Sequence, residues 1–169
     1  MARMLGIDPG MSGGIAVLEG RRVVDAMHMP VVGDGSQREI DIGRLSAFIE
    51  AHEPDEAIIE LVSAMPSIPG ADGVRRGMGA ASAFRFGFAV GQVRAVVACY
   101  RIPLTLVVPT VWKKHYGLKG GDKEPSRQMA LRRFPEAHRL LSRKKDHGPA
   151  EAILIAAYGL DKMGLLAAA

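Results

Sequence analysis

The sequence predicts a mixed α/β fold: a central five-stranded mixed sheet flanked by helices, with elements in the order βββαβαβα. Three features predict it. Three β-rich runs separated by glycine turns open the chain. Segments of helical period then alternate with two further short apolar runs, and a last apolar helix closes the pattern.

The first three strands are Met4 to Ile7, Ile15 to Leu18 and Arg22 to His28, joined by the turns "GMSGG" and "LEGRR", and they read as an antiparallel meander. After the loop "MPVVGDGSQREI", the stretch "DIGRLSAFIEAH" sets Ile42, Leu45, Phe48 and Ile49 on one helical face, with Asp41 as cap. "EAIIELV" is a short apolar strand, and a Gly/Pro-rich loop runs from Ala64 to Gly79. Residues 80 to 101 have helical period, and "IPLTLVVP" is a buried strand. Two short helices follow, "TVWKKHYG" and "EPSRQMALRRF", joined by the polar loop "LKGGDKEP". The last helix begins between Asp146 and Pro149 and runs through "AEAILIAAYGLDKM"; Pro149 falls in the first turn, where proline is tolerated. Without an internal repeat or a low-complexity linker, residues 1–169 are expected to form one domain.

Composition narrows the class. With 48% hydrophobic and 24% charged residues the chain is of ordinary globular type, and its net charge is only +4. The charge is unevenly spread: Val111 to Lys145 holds eleven basic residues against three acidic ones, half the positive charge in a fifth of the chain. Such clustering points to a polyanionic partner or to a solvated face. The single cysteine, Cys99, lies in a helical pattern and is expected to be a buried small hydrophobe, and no thiol metal site is available. The N-terminal residues contain no signal-peptide apolar core and no apolar run reaches about 18 residues, so a cytoplasmic location and no membrane partner are expected.

Three acids stand in unusual places. Asp8 ends the first apolar strand, where it is either a turn-forming residue or a group paired with something beyond the strand. Glu60 lies inside another apolar strand, and two inward carboxylates on one sheet persist most readily with a cation between them. Glu151 sits one turn into the last helix, beside the apolar stripe of Ala150, Ile153, Leu154 and Ala157; helix-end electrostatics also explains an acid there. Asp146 is either the N-cap of that helix or a further ligand, and His147, four residues before Glu151, shares its face. Oxygen ligands without thiols select Mg²⁺ or Mn²⁺. Acids converging on a pair of such ions would activate a water against a phosphodiester, chemistry that suits the basic stretch.

Four segments in order, "GIDPGMSGGIAVL", "AIIELVSAMPS", "FRFGFAVGQVRAVV" and "KKDHGPAEAILIAAYG", resemble the RuvC family of Holliday junction resolvases, particularly its phage and prophage members. The intervening "VPTVWKKHYGLKGGDKEPSRQMALRRFP" looks like the phage-type version, so the likeness runs from Met4 to about Leu160. The resemblance implies a ribonuclease H-like fold, a homodimer, and Mg²⁺-dependent symmetric nicking of four-way DNA junctions in the bacterial cytoplasm, in association with the nucleoid. It maps the catalytic acids onto Asp8, Glu60 and Glu151. Cellular members carry an acid or histidine three residues before the last acid, where this chain has Gly148; His147, favoured by helix phase, or Asp146 must substitute. Ser63 stands where cellular members often carry an aromatic that contacts junction bases.

On that reading Asp8 bridges both metals, Glu60 and Glu151 each hold one side, and His147 binds the second metal or orients the attacking water. Arg75 and Arg76, after the Glu60 strand, are candidate phosphate contacts near the junction centre. Lys113, Lys114, Lys119, Lys123, Arg143, Lys144 and Lys145 would attract phosphates without regard to sequence. Small residues Ala83, Gly87 and Gly91 at four-residue spacing predict close packing of their helix on the sheet, with the same helix as the candidate dimer contact. Trp112 is expected to be a packing residue. A sugar kinase or actin-like ATPase also explains "GIDPGMSGG", but those proteins duplicate the fold and need a second phosphate loop, so no nucleotide cofactor is expected. The remaining alternatives are a general branched-DNA or structured-RNA nuclease and an inactive junction-binding module.

Overall fold

The structure, a computed structural model, describes residues 1–61, 68–69, 75–76, 79–118 and 124–163. Its centre is a mixed sheet of five strands, β1 (Arg3–Asp8), β2 (Gly14–Glu19), β3 (Arg22–His28), β6 (Glu56–Glu60) and β9 (Leu104–Val107), in the order β3-β2-β1-β6-β9. The first three are the expected antiparallel meander, turning at Gly20 with a positive φ of 57°. β6 adds parallel to β1, and β9 parallel to β6. β1 lies in the middle because Met4 to Ile7 is buried on both faces, as an unbroken apolar run requires.

Helix α1 (Ile42–His52) begins at Asp41, whose side chain accepts from the Arg44 N–H at 3.0 Å, and it presents Leu45, Phe48 and Ile49 to the sheet. Together with α2 (Ala80–Cys99) it covers Leu5, Ile7, Ile15, Val17, Ala57 and Ile59. The other face of the sheet carries Met4, Ala16, Leu18 and Ile58, packed by α3 (Pro109–His115), α4 (Glu124–Arg133) and α5 (His147–Lys162). Each fully buried Leu or Ile in these cores contributes about 1.5–3 kcal/mol. Side chains alternate along a strand, so Asp8 follows Met4 and Gly6 on the α5 face, and Glu60 follows Ile58 onto the same face.

Several expectations change. The strand expected to be buried, β9, is an edge strand with Thr105 and Leu106 exposed. The sequence presents α5 as amphipathic, with one apolar stripe; in the fold every residue from Gly148 to Leu160 is buried, since the helix lies between the sheet and the α3–α4 layer. The span expected as a loop from Ala64 to Gly79 contains a short antiparallel ribbon, β7 (Ile68–Pro69) with β8 (Arg75–Arg76), and "MPVVGDGSQREI" contains a second, β4 (Val31–Val32) with β5 (Glu39–Ile40). Cys99 is exposed, because α2 turns Val93, Val96 and Val97 inward and leaves the cysteine on the far side. Gly87 and Gly91 do not pack on the sheet either: both are exposed, and a Cβ built on either would meet no atom within 4 Å.

Candidate active site

The parallel register pairs Ile7 with Ile59, so the next residues, Asp8 and Glu60, stand side by side at the ends of adjacent strands. The β1–β2 turn is built around Asp8. Gly10 donates its N–H to Asp8 Oδ1 at 3.3 Å, and Gly13 passes so close that a Cβ there would lie 2.6 Å from Asp8 Cγ. Gly14 abuts Gly148 and Pro149, and a Cβ on Gly6 would run into the backbone of Ala152 and the side chain of Ala156. Glycines on β1, β2 and their turn thus let the first turns of α5, carrying His147 and Glu151, descend onto the end of the sheet where Asp8 and Glu60 stand.

Helix α3 ties the acids together through two consecutive residues. Trp112, fully buried, donates its indole N–H to Glu60 Oε2 at 2.7 Å. Lys113 places its ammonium 3.2 Å from Glu151 Oε1, which also accepts from the Ser126 hydroxyl at 3.0 Å. Glu60 and Glu151 are only 7% and 5% exposed, so these partners replace water around charges that burial alone would penalise.

Asp146 is 1% exposed, and its side chain does not cap α5. It accepts from the Arg143 guanidinium at 2.8 Å, from the Arg143 backbone N–H at 2.8 Å and from His28 Nε2 at 3.0 Å. Burial pushes its carboxyl upward, yet the hydrogen bonds from Arg143 and His28 outweigh it and hold the pKa down to about 2. This clasp joins the end of β3 to the segment entering α5.

The donor set, mostly oxygen with one imidazole, suits Mg²⁺ or Mn²⁺ in kind. Among the described residues, however, no three Asp, Glu, His or Cys side chains stand close enough together to hold one ion as placed. The contacts account for this: one Glu60 oxygen is turned to Trp112, one Glu151 oxygen to Lys113 and Ser126, and Asp146 to Arg143 and His28. Gly148 explains the departure noted in the sequence. A side chain there would strike the carbonyl oxygens of Gly13 and Ser12, so this position cannot carry an acid and α5 offers its neighbours instead.

Of the expected phosphate contacts, Lys114, Arg143, Lys144 and Lys145 are exposed, while Lys113 is turned inward to Glu151. Arg75 and Arg76 form one strand of the β7–β8 ribbon; their side chains, together with Lys119, Lys123 and Ser63, lie outside the described residues. Several participants escape sequence reasoning. His28, Ser126 and the indole of Trp112 carry no motif, since their roles arise from contacts across 118, 25 and 52 residues of chain. Two adjoining grooves, of about 470 and 390 Å³, share Met11, Ser12 and Arg38 beside the Asp8 turn; one adds Arg85, the other Arg143, Lys145 and His147. Among the described residues, no carboxylate lines either groove.

The class defined by this sheet order and these flanking helices is the ribonuclease H-like α/β fold. Within it, the fold is that of RuvC. The chain superposes on RuvC of T. thermophilus in complex with a Holliday junction substrate with a TM-score of 0.60, at 16% identity over 98% of each chain. A second structure of Thermus thermophilus RuvC gives a TM-score of 0.58 at 20% identity, over 96% of this chain and 97% of that one. No family model matches the chain, and no curated protein matches it by sequence. No helix among the described residues is long and apolar enough to cross a membrane.

Proposed function

We propose that the chain is one structure-selective DNA endonuclease domain that resolves four-way junctions by Mg²⁺-dependent phosphodiester hydrolysis. The observation that carries this reading is the placing of Asp8 and Glu60 side by side at the end of the sheet, beneath the first turns of α5 that carry His147 and Glu151. A RuvC of the same fold has been captured on a Holliday junction, which supports this choice of substrate.

Asp8, Glu60 and Glu151 would hold the metal, with His147 as the fourth group. Asp146 serves as a brace, because its carboxylate is already engaged by Arg143 and His28. When bound, the metal supplies an activated water and stabilises the leaving oxygen. Trp112 and Ser126 would orient Glu60 and Glu151, and His147, where it does not hold the metal, would align the attacking water. The grooves around Arg38 lead the cut strand past Asp8, while Arg75, Arg76, Lys114, Lys119, Lys123, Lys144 and Lys145 add phosphate attraction that reads charge and shape rather than sequence.

A homodimer suits this substrate, since a four-way junction has two-fold symmetry and two opposed strands to cut. The exposed face of α2 supports it: Phe84 is 75% and Phe88 49% exposed, their rings stack at 6.4 Å, and Gly87 and Gly91 beside them admit close approach of a second helix. The expected place of action is the bacterial cytoplasm, with the nucleoid.

The test is cleavage of a labelled four-way junction, a linear duplex, a flap and a structured RNA, with Mg²⁺ or EDTA, beside Asp8→Asn. Paired symmetric nicks on the junction alone, abolished by EDTA and by Asp8→Asn, are the expected result. Equal cutting of the flap or of structured RNA would move the claim to a general branch nuclease. Junction binding without metal-dependent cutting by folded protein would leave a binding module.

A further inference from the structure

Lys113 is the one expected phosphate contact that the described structure turns inward, with its side chain 25% exposed. Its ammonium lies 3.2 Å from Glu151 Oε1, and the Ser126 hydroxyl donates to the same oxygen at 3.0 Å. A carboxylate oxygen has two lone pairs, so these two donors occupy Oε1. Only one of them carries charge. Ser126 is buried and neutral and sits compatibly beside a metal-bound carboxylate, whereas an ammonium and a divalent cation at one oxygen repel each other strongly in a site this dry. Glu151 without its ammonium would be a nearly buried, uncompensated charge, which is costly. A divalent ion on Oε1 and the Lys113 ammonium therefore exclude each other.

We propose that Lys113 is the resident cation of the metal-free site, and that a divalent ion reaching Glu151 must displace it. The inference rests on the proposed function, in which Glu151 is a metal ligand. It also reconciles the inward Lys113 with its place in the basic stretch: the ammonium becomes available to a DNA phosphate only once the metal has taken its position, which couples metal binding to substrate binding. In the metal-free arrangement the ammonium also lies 5.0 Å from the centre of the Trp112 ring.

Trp112 supplies the readout. It is the only tryptophan of the chain, and its indole N–H is bonded to Glu60, so a cation that draws on Glu60 changes its fluorescence. The experiment is titration of the full chain with Ca²⁺, followed by tryptophan fluorescence and by calorimetry, for wild type, Lys113→Met, Lys113→Gln, Lys113→Arg and Glu151→Gln, each checked for folding by circular dichroism. Couplings of this kind typically amount to about five-fold or more. Lys113→Met and Lys113→Gln are expected to bind Ca²⁺ at least about five-fold more tightly than wild type, Lys113→Arg to bind like wild type, and Glu151→Gln to bind weakly. Unchanged or weaker Ca²⁺ binding by both uncharged variants, with wild-type binding intact and abolished in Glu151→Gln, overturns the displacement while leaving the metal site standing. Absence of saturable binding by wild type, or binding indifferent to Glu151→Gln, overturns both.

Discussion

Glu60 shows how a single hydrogen bond sets the chemistry open to a residue. With one carboxylate oxygen bound to the Trp112 indole, the rotation of the carboxyl is defined before any ligand arrives. Trp112→Phe removes the N–H that Glu60 Oε2 accepts in this buried place. It is expected to lower unfolding stability in urea by about 1–3 kcal/mol, and to reduce metal-dependent cleavage more than junction affinity. Asp146 is the second case at this scale. Its pKa is depressed in the folded state, so the stabilisation it contributes is fully present above its ordinary carboxyl pKa and disappears as pH falls from about 4 through about 2. Arg143 is well exposed, which screens the pair, so the contribution is on the order of 1–2 kcal/mol. Asp146→Asn should therefore be less stable than wild type at pH 7 by that order, and the gap should close toward pH 2 in acid titrations followed by circular dichroism.

At the scale of elements, the decisive feature is how closely α5 approaches the β1–β2 turn. Gly148 faces the carbonyl oxygens of Gly13 and Ser12 with no room for a methyl group, so Gly148→Ala must push the helix start away from Asp8. Overpacking of this kind costs about 1–3 kcal/mol, and because it separates Glu151 and His147 from the strand acids, Ca²⁺ affinity should fall with stability. Thermal denaturation and calorimetry on the same variant check both; a loss of stability with unchanged Ca²⁺ binding would show that α5 does not contribute to the ion site. Helix α3 works differently. It is only seven residues long, and its value lies in presenting Trp112 and Lys113 in succession to two different carboxylates.

For the whole molecule, the exposed face of α2 and the basic surface make separate predictions. Phe84→Asp with Phe88→Asp should convert a dimer to a monomer in light scattering without unfolding it, since both rings are exposed. Paired symmetric nicking would then give way to single nicks. Junction affinity should fall steeply with salt, and Lys144→Ala with Lys145→Ala should reduce the slope of log K against log salt by about 1 for each phosphate that is no longer neutralised. Duplex and junction affinities should weaken together, because phosphates carry no sequence information.

Much of this architecture is legible in the chain. The meander, the two later strands, the helix between them and the positions of Asp8, Glu60 and Glu151 follow from local periodicity, because burial of alternate or every-third-or-fourth residues is written into consecutive positions. An acid inside an apolar run is conspicuous for the same reason. What only the tertiary structure decided was long-range: that α5 is buried on all sides, that Gly148 leaves no room for an acid, that His28 and Arg143 occupy Asp146, and that Lys113 faces Glu151 rather than solvent. Cys99, Gly87 and Gly91 point outward against expectation because composition reveals apolar character but not which side of a helix meets the sheet. Sequence determines which residues seek burial or charge partners; only the packed chain determines which partner each one finds, since those pairings join residues separated by up to 118 positions.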